Sequence, residues 1–279
     1  MVAANHDDGP DEFPQLSRAG LRSARRLQQR KIRAETGLFL VEGTQAIREA
    51  LAHGRSLAGG QTVERLIVDD PGRHAELLDM AIDERIDVVQ ATSEQIDALS
   101  ETVTSQGIFA VCRWPETDLD SIEAPRLVVI CAQVRDPGNA GTVIRCADAF
   151  GADAVLMSHG SVDATNSKTV RASVGSVFHL PVVTGLDLPQ VIEWAHGVGL
   201  QVVAADAGGQ PLDVVAASGG LSRPTAWLTG NEAWGLPAPV LALADQVVAI
   251  PMWGRAESLN LSTAAAVCLY ATASAQHRQ

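Results

Sequence analysis

The sequence predicts an α/β protein in two parts, the second built on a parallel sheet. Three observations carry this expectation. Short apolar runs alternate with helical segments from residue 17 onward, the pattern of layered α/β structure. In the second half, runs such as RLVVICAQV, DAVLMS and LQVVAAD are apolar with little interruption, which suits strands covered on both faces. Residues 115–125, PETDLDSIEAP, are acidic and bounded by prolines, the composition of a linker between domains.

Residues 1–15 carry Asp7, Asp8, Asp11, Glu12 and two prolines but little that could pack, so a disordered acidic tail is expected. Residues 16–114 form a first, smaller α/β domain. It reads as a basic helix, the strand LFLVEG, a helix over 46–52, the strand VERLIVDD, a helix over 77–82, the strand IDVVQA, a helix after Thr92 and the strand GIFAVCRW. The second domain, 126–279, opens with RLVVICAQV. A helix from Pro137, the strand DAVLMS, a helix near Lys168, the strand LPVVTG and a helix from Leu188 come next. The strands LQVVAAD, TAWLTG and QVVAIPM and a last helix from about Glu257 complete it.

A hydrophobic content of 46% suits a globular chain with real cores. No apolar run approaches the ~18 residues that cross a bilayer, and the N-terminus lacks a signal-peptide pattern, so a cytoplasmic protein without a membrane partner is expected. Cys112, Cys131, Cys146 and Cys268 are far apart and read as reduced, buried thiols. The seven histidines show no HxxxH or HExxH spacing, so no metal site is expected.

The net charge of −12 is unusual for a nucleic-acid binder, but its distribution is uneven. Arg18, Arg22, Arg25, Arg26, Arg30, Lys31 and Arg33 are seven of the chain's 21 basic residues, with no acid among them. On one helix, Arg18, Arg22, Arg26, Arg30 and Arg33 would form a basic stripe, an anion-binding surface rather than a self-compensated one.

Ligands of open parallel sheets bind beyond the carboxyl ends of the strands, and three such junctions are rich in polar residues. RDPGNAGTVIR (135–145) places Asp136 as a helix N-cap, Pro137 at the first helical position, and Asn139 and Arg145 on the helix. LTGNEAWGLP (228–237) is a glycine-bearing loop with Asn231 and Glu232 at its tip. IPMWGRAESLNLST (250–263) leads through Ser258 and Asn260 into a helix. Each alone is what an ordinary turn or capped helix looks like; together they could line one cleft. No GxGxxG, P-loop or GxSxG pattern competes with them.

In this order the three segments resemble the motifs of the SpoU (TrmH-like) family of RNA ribose 2′-O-methyltransferases, within the trefoil-knotted SPOUT superfamily. The likeness runs from about Arg126 to Ser274 and includes SVDATNSKTVRASVGSVFHLPV between the first two motifs. Residues 17–114, including LQQRKIRAETGLFLVEG, resemble the family's substrate-binding domain, similar in fold to small kink-turn-binding ribosomal proteins. The resemblance implies a deep trefoil knot in the parallel-sheet domain and a homodimer with the site at the subunit interface. It implies S-adenosylmethionine as cofactor, held against Leu228, Thr229, Gly230, Asn231, Gly235, Ile250, Met252, Ser258 and Leu259. Arg145 would be the catalytic group, with Asn139, Glu232, Ser258 and Asn260 completing the site. Arg22, Arg26, Arg30, Lys31, Arg33, Lys168, Arg171 and Ser173 would face RNA. Trp234 and Trp253, inside the motif loops, depart from the family pattern.

The implied substrate is a ribose 2′-hydroxyl in structured RNA, with 23S rRNA favoured over tRNA; a reader of that hydroxyl has no use for duplex DNA. Alignment of the two reactants alone can lower such a barrier by about 7 kcal/mol. A guanidinium is a poor base, so proton acceptor and alkoxide stabiliser stay open as roles for Arg145. Two other readings are a relative that binds RNA without catalysis and an α/β enzyme clamping a small acidic metabolite with Arg145 and Arg171.

Overall fold

The structure, a computed structural model, describes residues 13–58, 60–115, 117–231 and 233–278, with the backbone alone over 55–58. The expected acidic tail falls mostly outside the described residues. Its inner end is ordered: Leu16 N–H donates to the Gln90 carbonyl and Gln90 N–H to that of Pro14, at 2.7 and 2.9 Å. A strand edge thus takes up residues 14–16 instead of leaving them loose.

The first half consists of α1 (Arg18–Arg26), α2 (Arg30–Thr36), β1 (Leu38–Glu42), α3 (Thr44–Ala58), β2 (Val63–Val68), α4 (Ala75–Asp83), β3 (Asp87–Gln90), α5 (Ser93–Leu99) and β4 (Ile108–Arg113). Its sheet runs β1-β4-β2-β3, with β4 antiparallel to both neighbours and β2 parallel to β3. Helices α3 and α4 cover one face, and α1 and α5 the other.

The basic stripe does not form as one helix. The Arg33 guanidinium folds back and donates to the carbonyls of Leu27 and Gln28 at 2.9 and 2.8 Å. It thereby satisfies carbonyls that end α1, and the chain turns before α2 begins.

The second half comprises β5 (Leu127–Cys131), α6 (Pro137–Ala149), β6 (Ala154–Ser158), α7 (Ser167–Ser173), β7 (Val182–Leu186), α8 (Leu188–Gly197), β8 (Gln201–Pro211), α9 (Leu212–Ala217), β9 (Thr225–Thr229), α10 (Ala238–Leu241), β10 (Gln246–Ala249) and α11 (Leu261–Gln276). All six strands are parallel, in the order β10-β8-β9-β5-β6-β7. Alternate residues of β9 show why the strands are apolar on both sides. Ala226 and Leu228 enter the core beneath α8, while Trp227 enters the core shared with α6, α7 and α11 and donates its indole N–H to Thr272 at 2.8 Å.

That second core runs on into the first half, where Phe39 of β1 stacks on Phe178 at 6.1 Å. The last helix starts at Leu261, later than expected from Glu257. Asn260 is its N-cap, accepting from Ser262 N and Thr263 N at 2.9 and 3.4 Å.

Candidate active site

A cavity of about 530 Å³ opens where β8 and the loops after β9 and β10 meet the start of α6. Its wall includes Asn139, Thr229, Gly230, Asn231, Gly235, Ile250, Met252, Ser258, Leu259 and Asn260, drawn from all three polar junctions. Two amide bridges hold these junctions together. Asn260 Nδ2 donates to Asn139 Oδ1 at 2.9 Å, joining the segment before α11 to the first turn of α6. Asn231, 6% exposed, donates from Nδ2 to the Gln133 carbonyl at 2.7 Å and accepts from Ala233 N at 2.8 Å, joining the loops after β9 and β5.

Backbone fit sets the rest. A Cβ on Gly230 would lie 2.4 Å from the Gly235 carbonyl carbon. Only glycine therefore lets residues 231 and 235 exchange backbone hydrogen bonds at 2.9 and 3.0 Å. Gly235 itself turns through φ +66°. On α6, a Cβ on Gly141 would lie 2.3 Å from the Thr169 carbonyl oxygen, so this glycine seats α7 against α6. The Asn139 backbone N–H, 2.8 Å from Asp136 Oδ1, leads the contacts that hold the Asp136 carboxyl below the ordinary carboxylate range. Lys168 Nζ, 3.3 Å away, adds to the effect.

Several expected residues stand elsewhere. Leu228 is fully buried inside β9, bonded on both sides to β5 and β8, and does not line the cavity. Arg145 is exposed on α6, almost two turns past Asn139 and outside the cavity wall. Glu232 lies outside the described residues.

The RNA-facing group divides. Arg22, Arg26, Arg30 and Lys31 are exposed, whereas Arg33 is 6% exposed and donates to Asp163 Oδ2 at 2.6 Å. Its charge is thus spent on joining α2 to the second half. Burial opposes the charge on Asp163, but hydrogen bonds from Thr165 and Arg33 outweigh it and hold the carboxyl below the ordinary range. Arg171 pairs with Glu42 of β1 at 3.4 Å. Ser173 is buried, its hydroxyl given to the Val170 carbonyl at 2.7 Å. Arg33 and Arg171 thus join the two halves, and the Ser173 hydroxyl is satisfied within its own helix.

Asp206 and Glu257 also line the cavity and were not among the expected residues. Asp206 sits beyond the end of the apolar stretch of β8, so the same strand-end rule could have found it. Trp253 is 88% exposed beside the lining residue Met252, and the Arg135 guanidinium lies 4.8 Å from the ring centre of Trp234.

The cavity suits a molecule with a flat, largely apolar part and a net positive charge. Val248, Ile250, Leu259 and Ala264 offer the first contact surface, Asp206 and Glu257 the second, and the tight turn at Gly230 exposes backbone to the bound molecule. S-adenosylmethionine has this character.

Comparison with known proteins agrees. Residues 126–270 match the SpoU rRNA Methylase family, and residues 19–110 match the MRM3-like substrate binding domain. The 23S rRNA (guanosine(2553)-2'-O)-methyltransferase RlmP of Bacillus subtilis is 35% identical over 88% of this chain and 92% of its own. A 23S rRNA (uridine(2479)-2'-O)-methyltransferase of Streptomyces viridochromogenes is 34% identical over 88% and 85%. The crystal structure of the AdoMet-bound rRNA methyltransferase from Sinorhizobium meliloti superposes with a TM-score of 0.80 at 29% identity, covering 94% of this chain and 96% of that one. The chain belongs to the SpoU family of RNA ribose 2′-O-methyltransferases, which use S-adenosylmethionine.

Proposed function

We propose that this protein methylates one ribose 2′-hydroxyl of 23S rRNA and works as a cytoplasmic homodimer. The observation that carries the reading is the convergence of three separate junctions on one cavity, pinned by the 2.9 Å bridge between Asn260 and Asn139. The names of the Bacillus and Streptomyces relatives support the choice of 23S rRNA.

S-adenosylmethionine, when bound, supplies an electrophilic methyl group. Thr229, Gly230, Asn231, Gly235, Ile250, Met252, Ser258 and Leu259 hold it, and Asp206 and Glu257 complement its positive charge. Asn139 and Asn260 fix the loops that orient it. Arg145 stabilises the alkoxide that develops on the ribose, and an RNA phosphate or solvent water takes the proton as the methyl group passes to the oxygen and leaves the thioether behind. A fixed charge aimed at a developing oxyanion typically contributes 10²–10³-fold to such a rate. Ser258 and Glu232 complete the site.

Residues 16–114 form the RNA-binding domain, with Arg22, Arg26, Arg30 and Lys31 facing the RNA and Lys168 at the edge of the cleft. Residues 126–279 form the catalytic domain, and the strand order, with β9 between β5 and β8, supports the trefoil knot of the family.

The homodimer has support in α11, which is apolar on most sides yet leaves Tyr270 58% exposed beside Phe150 at the end of α6, ring centres 5.7 Å apart. A helix of this composition is ordinarily covered. A second subunit on this face would enclose Arg145, which stands open on the same helix as Phe150's neighbours.

Mapping ribose methyl groups in 23S rRNA and tRNA from cells with and without the gene tests the substrate. One ribose position in 23S rRNA that loses its methyl group is the expected result; a loss confined to tRNA, or no loss, refutes it. No helix among the described residues is long and apolar enough to cross a membrane.

A further inference from the structure

Away from the cleft, the two halves meet at a cluster that the methyl-transfer chemistry does not use. Glu49 and His53 lie one turn apart on α3, and His179 follows the short 3-10 turn Ser176–Phe178. Glu49 Oε2 is 3.0 Å from His179 Nε2 and 3.1 Å from His53 Nδ1. The three ligand-capable atoms all lie within 4.8 Å of one another. On its other side, His179 Nδ1 is 2.8 Å from Asp148 Oδ2 on α6.

The position of Glu49 follows from backbone fit. A Cβ on Gly175, at φ +97°, would lie 2.4 Å from Glu49 Cγ, so glycine alone lets α3 come this close. Gln45 occupies the other carboxylate oxygen, leaving Oε2 to the histidines.

A neutral imidazole has one N–H and one lone pair. His179 has a carboxylate oxygen against each nitrogen, so with a single proton one of these contacts would set lone pair against lone pair. A second proton in these contacts or a metal ion is needed there.

The ligand set favours the metal. Nδ1–H donated to Asp148 aims the Nε2 lone pair toward Glu49 and His53, the way a carboxylate commonly orients a metal-bound histidine. Two imidazoles and one carboxylate form a zinc-type ligand set with bonds of roughly 2.0–2.2 Å. Tetrahedral geometry at that length sets ligand atoms roughly 3.4 Å apart, close to the 3.0 and 3.1 Å observed. The His53 ring, 55% exposed, is free to close the third edge.

We infer that Glu49, His53 and His179 form a site for a zinc-class divalent cation that ties α3 to the catalytic half, with Asp148 orienting His179. The ion is structural. Asp148 lies three residues past Arg145 on α6, so the site fixes the N-terminal half against the helix that carries the proposed catalytic arginine. Histidine spacing within one segment could not disclose it, because the second imidazole comes from a remote part of the chain.

Zinc titration of untagged, full-length, EDTA-stripped protein by calorimetry tests the inference. One equivalent of Zn²⁺ should bind, with a rise in Tm that EDTA reverses. His53→Ala and His179→Ala should each abolish both effects, and Asp148→Asn should weaken binding about tenfold or more. Cofactor binding in the remote cleft, measured on each variant, verifies that it has folded. Absence of saturable uptake, or uptake unchanged in both histidine variants, overturns the inference. A Tm that responds to pH but not to Zn²⁺ also overturns it, because the cation between His179 and the carboxylates is then a proton.

Discussion

The cavity proposed for the cofactor and the basic surface proposed to meet RNA are built in different ways. On the cofactor side, backbone turns and short amides do the positioning: Gly230 against Gly235, Asn231 on Gln133, Asn260 on Asn139. Every one of these contacts lies at a strand end or a helix cap. The surface proposed to meet RNA is made of long charged side chains, and these divide between two uses. Arg33 and Arg171 reach across to Asp163 and Glu42, while Arg22, Arg26, Arg30 and Lys31 stand in solvent. A pocket built from backbone turns and amides thus contrasts with a surface whose charges both join the halves and, in the proposed function, meet the RNA.

If the two sides act separately, Arg145→Ala should cut methyl transfer about 10²–10³-fold while cofactor affinity, measured by calorimetry, stays within about twofold. A matching loss of cofactor affinity would place Arg145 on the wrong side. Stability should fall most at the ion pair between the halves. Arg33→Met leaves Asp163 without its ion-pair partner and should cost about 3 kcal/mol in denaturant unfolding.

That cost should depend on pH in one direction. The Asp163 carboxyl is held below its ordinary value of 3.8, so its contribution is present above that pH and is lost as pH falls through the lowered value. The wild-type and Arg33→Met proteins should converge in stability in that acid range. A gap that persists there would show that Arg33 acts through its contacts with Leu27 and Gln28 instead.

Smaller effects sharpen the contrast. Gly230→Ala should weaken cofactor binding about tenfold, the order expected for forcing a methyl group into a filled turn, with RNA binding unchanged. The double variant Arg22→Ala, Arg26→Ala should weaken RNA binding a few-fold and reduce the slope of log affinity against log salt by about 2, with cofactor binding unchanged.

The same difference explains what the sequence disclosed. Parallel strands announce themselves as apolar runs, and a turn or cap uses residues close together in the chain, so Asn139, Gly230, Asn231 and Asn260 were visible as a set before any fold was known. Charges carry no such local signature. Arg33 looks like its neighbours in the basic run, and only Asp163, far along the chain, decides that it is buried and paired. The boundary between strand and loop was less visible: a motif marks where a loop begins only to within a residue or so, and β9 continues through Thr229. Helices α9 and α10 are too short to show a periodic pattern, and the break between α1 and α2 depends on where one side chain folds back.

The most direct test of the role proposed for Arg145 is transfer of a labelled methyl group from S-adenosylmethionine to 23S rRNA purified from cells lacking the gene, with the product mapped to the nucleotide. Labelling of a single ribose 2′-oxygen, lost in Arg145→Ala although that variant still takes up cofactor, agrees with the proposed chemistry. Label on a base, or ribose labelling that survives the loss of Arg145, contradicts it.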